Sequence, residues 1–426
     1  MKHSAIPILC AAFAALSGCT AAGTPIQTPS SPEPSDIKVV NIDTHDVPNA
    51  EEGLAQFSTQ LFKECYKSDK NTLLSPFSVY AALSMAANGA KGQTQKEMLS
   101  VLGAPSIDDI NSSIALKMEN AEQTGVLDIA NALFVIKRSD ITMNETTVNK
   151  LKNIYKAEIF HEILDGNTEN KINSWVNDKT HEMIPAVLTP GSLNESTVSV
   201  ILNAIAFESK WLEPFDPDYN VVPYDFHNLD GTVSNVDFLT GEVGHYMEND
   251  RAKAFYKYYE PTKSGKYYAF LAILPNDDIT IDDYVSTMPE NEITNLLNSA
   301  SFDTVKIKLP KFSFDTDYRM KSMLGEMGMP TAFDAGSADF TDLAVSNIGN
   351  NISIGEVIHK AHIELDEYGT KAAAVTAIIM TDNGAMIDPE PPKAITLDRP
   401  FVFAICDMDE KQPIFIGSII KLDEQK

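Results

Sequence analysis

The sequence predicts an α+β fold built as one large domain. Three observations carry this: helical apolar spacing opens the folded part, strand-like runs recur from there to the C-terminus, and no linker, repeat or low-complexity stretch interrupts residues 51–426. Ala55, Phe57, Leu61 and Phe62 recur at the spacing of a first helix. Ser75-Pro76-Phe77-Ser78 opens a second that runs through Met85, with Ser75 suited to the N-cap and Pro76 to the first helical position. Strands are predicted over Leu127–Ile136, Val198–Phe207, Tyr267–Leu274, Val305–Lys308, Ile352–Val357 and Phe401–Asp407. With 426 residues, 43% apolar and 22% charged, a large core is available, and disordered, collagenous and multi-span membrane chains are excluded. Length alone, at about 150 residues per domain, suggests two or three domains; the unbroken run after residue 51 favours one.

The N-terminus reads as an export signal. Lys2 and His3 precede an apolar stretch from Ala5 to Leu16 that is too short to span a bilayer. Leu16-Ser17-Gly18-Cys19 then resembles the lipobox of bacterial lipoproteins, which implies removal of residues 1–18 and a lipid anchor on Cys19. The bland alternative is an incidental cysteine beside an ordinary cleavage site, as Cys10 shows a cysteine there need carry no meaning. Residues 19–48 are rich in Pro, Ser and Thr and have no apolar periodicity before the Ile37–Ile42 patch, as expected of an extended tether. The folded domain is therefore assigned to residues 49–426. On this reading the protein is exported and held by lipid at a bacterial membrane or cell surface. Cys65 and Cys406 remain, with no CxxC and no Cys/His cluster. Buried free thiols are the simpler expectation, and a disulfide between them stays open.

Lys plus Arg number 33 against 60 Asp plus Glu, a net charge of −27. Nucleic acid and heparin-like polyanions are repelled by such a chain, so neither is expected as a partner or activator. The sequence also lacks GxSxG, HExxH, Walker-type, GxGxxG and EF-hand patterns, so neither an enzyme nor a cofactor or metal site is expected. His359 and His362 would meet on a helix, but their surroundings read as strand, where they fall on opposite faces.

Residues 369–392 are unusual. Gly369-Thr370-Lys371-Ala372-Ala373-Ala374-Val375-Thr376 contains one charge and no proline, and every second residue from Thr370 is small or apolar. Such a run fits a central strand, with Lys371 on the outer face. Thr381-Asp382-Asn383-Gly384-Ala385-Met386-Ile387-Asp388 and Pro389-Glu390-Pro391-Pro392 follow, polar and then Pro-rich, as in an exposed cleavable loop. An Ala-rich helix with a loop after it is the alternative on composition alone.

Here the chain resembles a serpin over about residues 51–422. The resemblance rests on motifs in order: Asn71 to Ser78 with Ala81 to Met85 and Gly89 to Thr94, then Asn131-Ala132-Leu133-Phe134 and Ile172-Asn173-Ser174-Trp175-Val176. Leu202 to Phe207 before Lys210-Trp211, Leu309-Pro310-Lys311-Phe312, His359-Lys360-Ala361, Glu367-Tyr368-Gly369-Thr370, Arg399-Pro400-Phe401 and Ile416-Gly417 complete it.

The resemblance implies three β-sheets, eight or nine helices and an exposed reactive loop at about residues 367–392. It implies a monomeric suicide inhibitor with no catalysis of its own, whose loop is cut by a serine protease to a covalent acyl-enzyme. The loop then inserts as a new strand of the main sheet, serpins being a standing example of strand addition and of released fold strain. About 14 residues at ~3.3 Å each would carry the protease of order 45 Å. The hinge is Gly369, Thr370, Lys371, Ala372, Ala373, Ala374, Val375 and Thr376. Ser75, Ser78, Asn203 and His359 are implied as a polar shutter beneath the sheet, and Glu367 with Lys311, near Trp211, as an ion pair at its top. Counting from the hinge Gly places the scissile bond at Asn383-Gly384, with Ala385-Met386 and Met386-Ile387 as alternatives. No Lys or Arg lies between Thr376 and Ile387, so an elastase-like or subtilisin-like target is expected rather than a trypsin-like one.

Overall fold

The computed structural model describes residues 48–349, 351–370 and 393–424. Among them are nine α-helices, a 3-10 turn and nineteen strands. The first helix spans Pro48–Cys65 and buries Leu54, Phe57, Leu61 and Phe62. It takes in Pro48, the last residue assigned to the tether. The second, Pro76–Ala87, begins at Ser75, whose side chain accepts the Ser78 N–H, and it is buried along nearly its whole length because it runs through the core. No described helix is long and apolar enough to cross a membrane.

A six-stranded sheet places Tyr268–Pro275, Phe401–Asp407 and Gln412–Ile419 at its centre, with Ala252–Tyr258 beyond the first of these. Tyr268–Pro275 and Phe401–Asp407 are buried at every residue, which explains their unbroken apolar runs. A four-stranded sheet pairs Val305–Pro310 with Lys393–Thr396 on one side and Val233–Val243 on the other.

The third sheet is divided. One part holds Glu158–Glu162, Leu127–Ile136 and Ser199–Phe207, and the other holds Phe312–Arg319 against Ile358–Leu365. The helix Thr168–Lys179 lays Ile172, Trp175 and Val176 over the first part, against Phe134 and Phe160. An additional two-stranded pair joins Ile141–Met143 and Ala344–Ser346.

One predicted strand is absent. Residues 352–357 are irregular, and the strand begins at Ile358. The backbone groups of this stretch are taken up elsewhere: Ile354 N–H bonds to Ala332, and Val357 C=O caps the Met320 N–H. Cys65 and Cys406 are both free and buried, and burial pushes the Cys65 thiol up to about 12. No disulfide joins them.

Candidate functional site

Among the described residues, the divided sheet is bridged at one end only. Gly369–Thr370 pairs antiparallel with Ser209–Lys210 on one side and, through Thr370, with Leu365 on the other. Both neighbours therefore run in the same direction. Beyond Thr370, Ser199–Phe207 and Ile358–Leu365 have no ladder between them among the described residues. In the gap lies a narrow cleft with room for about 20 Å³, lined by Ile205 and Phe207 from one edge, Ala361 and Ile363 from the other, and by Thr370 at its end. An antiparallel strand continuing from Thr370 would enter this cleft between two unpaired edges.

The turn leading into Gly369 is tightly held. Asp366 Oδ1 accepts the N–H groups of Tyr368 and Gly369 at 2.8 and 3.1 Å. Trp211, fully buried, donates its backbone N–H to Tyr368 C=O and its indole N–H to Asp366 C=O, and Phe215 N–H bonds to Glu367 C=O. Lys311 Nζ meets Glu367 Oε2 at 2.7 Å, with the two side chains 22% and 15% exposed. Burial alone would raise the Glu367 carboxyl, but the Lys311 hydrogen bond and charge outweigh it and hold it below its ordinary value. At Gly369 a side chain would have no room: a Cβ there would sit 2.2 Å from Ser209 O and 2.8 Å from Lys210 Cα.

Tyr259 was not visible as a site residue in the sequence. Its ring stacks on Trp211 at 4.5 Å between centroids, and its hydroxyl lies 2.6 Å from Thr370 Oγ1, both groups buried. Lys257 was missed as well. Its buried ammonium lies 4.6 Å from the Phe215 ring centroid and 5.9 Å from that of Trp211, and burial lowers its pKa to about 8. The run Ala254-Phe255-Tyr256-Lys257-Tyr258-Tyr259 is dense in aromatic residues, and that signal marks the strand and the residue that ends it.

Beneath the sheet, His359 Nε2 accepts the Ser75 backbone N–H at 3.0 Å, which puts the ring proton on Nδ1. Ser75 Oγ accepts from Ser78 N–H at 3.3 Å. Desolvation lowers the His359 pKa to about 4, so the ring is neutral at neutral pH. Ser75, Ser78 and His359, three of the four residues the resemblance implies as a shutter, are thus linked by hydrogen bonds. Asn203 is tied instead to Asn131, whose Oδ1 accepts from it at 2.8 Å, and its own buried Oδ1 has no partner among the described residues. His362 faces the other way and pairs with Asp315 at 2.7 Å.

The hinge from Lys371 through Ala372, Ala373, Ala374 and Val375 to Thr376, the scissile bond with both its alternatives, and Cys19 lie outside the described residues.

Comparison with known proteins agrees with this geometry. The family model "Serpin (serine protease inhibitor)" matches residues 52–422. An uncharacterised serpin-like protein of Thermococcus kodakarensis is 33% identical, over 85% of this chain and 84% of its own length. The leukocyte elastase inhibitor of Xenopus laevis is 29% identical over 87% of this chain and 98% of its own. The crystal structure of the thermophilic serpin tengpin in its native state superposes with a TM-score of 0.82 at 33% identity, covering 91% of this chain and 98% of that one.

Proposed function

The chain belongs to the serpin family, and from that premise we propose that it is an inhibitory serpin that traps serine proteases by inserting its cleaved loop into the divided sheet. One observation supports the reading above all: among the described residues, Ser199–Phe207 and Ile358–Leu365 share no ladder, yet Gly369–Thr370 already bridges the two parts of the sheet at one end. Next to Thr370 lies a cleft whose flanking strands, Ser199–Phe207 and Ile358–Leu365, share no ladder among the described residues. Beyond Lys371 come small residues, with Ala372 and Ala374 at the alternate positions that would point inward. Asn203 Oδ1, buried and without a partner, is an acceptor that an incoming strand can satisfy.

A protease acylated at Asn383, or at Ala385 or Met386, would stay esterified to the loop. Strand growth into the cleft then draws the enzyme along the sheet and displaces its oxyanion site before water hydrolyses the ester. The absence of Lys and Arg from 377–387 favours an elastase-like or subtilisin-like target, in keeping with the name of the frog relative. The acidic surface favours encounter with basic enzymes. The chain itself supplies the bait and the closing strand, and performs no turnover.

Incubation with a panel of serine proteases followed by SDS gels and intact-mass spectrometry tests this. A covalent complex whose mass equals protease plus the serpin lacking its C-terminal fragment is expected. Cleavage at 383–387 with no complex for any enzyme sinks the inhibitory reading and leaves a surface binding protein. Lipidation of Cys19 is part of the same proposal and predicts palmitate incorporation that Cys19→Ser abolishes.

A further inference from the structure

A row of aromatic rings beside the returning end of the loop opens to solvent at its two ends, Phe302 and Tyr267, while Tyr256 within it is buried. Tyr256 and Tyr258 lie two apart on Ala252–Tyr258 and so share a face. His245 stacks on Tyr256 at 4.2 Å and meets Tyr258 edge-on at 5.4 Å. Phe302 extends the cluster from His245 at 5.4 Å, and Tyr267 extends it from Tyr258 at 5.5 Å. Phe302 is 91% exposed and Tyr267 40%. A phenylalanine this open at the end of an aromatic row marks a contact surface.

Its position indicates the occupant. Lys393 pairs in parallel with Val305, its ammonium bonds to Asp303 at 2.8 Å, and the same ammonium lies 3.9 Å from the Tyr246 ring centroid. Were the same register carried back, Pro392 would fall beside Thr304, Pro391 beside Asp303 and Glu390 beside Phe302. These residues are Pro389-Glu390-Pro391-Pro392. Three of the four lack an N–H, so the strand ladder cannot continue through them and another mode of contact must replace it. Proline pairs three residues apart, such as Pro389 and Pro392, fall on one face of a polyproline II helix. Four residues at ~3.1 Å each span about 12 Å, enough for two of the three steps of the row, which run 5.4 Å from Phe302 to His245, 5.4 Å on to Tyr258 and 5.5 Å on to Tyr267. Aromatic rings lining a groove are what proline-rich segments dock on, because the extended backbone is pre-ordered and little entropy is lost.

We propose that Pro389–Pro392 docks intramolecularly on the His245, Tyr256, Tyr258, Tyr267 and Phe302 surface and pins the returning limb of the reactive loop to the body. The span free to meet a protease is then 371–388. The docking concerns the chain's own segment and holds whether or not the protein traps a protease.

The test places the photo-crosslinker p-benzoylphenylalanine at position 302 of the full-length protein, where exposure leaves folding unaffected. On irradiation, an intramolecular link into residues 388–392 is expected by peptide mapping, with a severalfold lower yield when Pro389→Ser, Pro391→Ser and Pro392→Ser are combined. A link between two chains would assign the surface to a second copy and overturn the proposal. A link confined to other segments, no link, or a yield unchanged by the proline substitutions overturns it equally.

Discussion

Glu367→Lys sets two ammonium groups against each other where the loop enters the sheet. At the 2.7 Å separation and an effective dielectric constant near 20, the bare attraction in the native pair is about 6 kcal/mol. Desolvation of two side chains that are only 22% and 15% exposed takes back most of this, leaving roughly 1–3 kcal/mol. Reversal removes that gain and adds repulsion, relieved in part as the side chains swing apart, for a loss of about 2–4 kcal/mol at low salt. The loss falls on the turn that Trp211 and Phe215 hold through Asp366, Glu367 and Tyr368. Detachment of that turn frees the cleft below Thr370 for a loop from the same or another molecule. Native gels and size exclusion should show polymers accumulating on mild warming, and calorimetry a melting temperature lower by roughly 2–6 °C. The swap of Glu367→Lys with Lys311→Glu should recover part of both. A single mutant that stays monomeric, melts with the parent and loses its loop to proteases at the parent rate would refute the assignment of this pair as a fastening of the loop entrance.

Three other outcomes rest on the buried groups. His359, near 6.5 when unfolded and about 4 when folded, binds its proton more readily in the unfolded chain, so its contribution is complete above pH 6.5 and falls as pH drops towards 4, by roughly 3 kcal/mol. Urea midpoints at pH 7.5, 5.5 and 4.5 should fall more steeply for the parent than for His359→Gln, and parallel profiles count against it. Lys257, near 10.5 unfolded and about 8 folded, makes stability rise with pH across that window, because the unfolded state holds more protons there. Lys257→Met should therefore raise the stability at pH 7 by about 1–2 kcal/mol, after allowing for the lost contact with Phe215; a lower denaturation midpoint means the charge is needed. Tyr259→Phe leaves the buried Thr370 hydroxyl without its partner and should cost about 1–2 kcal/mol, read as faster hydrogen exchange at Gly369 and Thr370 than in the parent.

The sequence carried the core strands because their burial is two-sided, as in Phe401–Asp407, and such runs need no partner to be recognised. It did not carry the end of the irregular 352–357 stretch, whose backbone bonds go to Ala332 and Met320, partners that only the folded chain brings near. Glu367 and Lys311 were legible through family resemblance alone, since nothing in their spacing ties residues so far apart in the chain. Tyr259 and Lys257 were hidden for a related reason. Their strand is rich in aromatic residues on both faces, one turned to Trp211 and Thr370 and the other to His245 and Phe302, so alternation of polar and apolar residues gives no cue to which face is which. Asn203 was named with the shutter, yet the fold ties it to Asn131 across the sheet, a pairing set by strand register.

The two residues that bridge the divided sheet also bear on rates. Starting a new strand ordinarily requires a loop to close first, and that search grows with loop length. Here the closing step is already taken at Gly369 and Thr370, so after scission the strand only has to propagate from a seeded end. Strand zippering of this kind belongs to the microsecond range, whereas a typical protease turns over about 1–1000 times per second. On the proposed mechanism the outcome of each encounter would be a race between these two clocks, and the seed would give the inhibitor its lead. On the same proposal, spontaneous propagation in the uncut protein would be the hazard, and an anchored far limb of the loop would lengthen the survival of the native form.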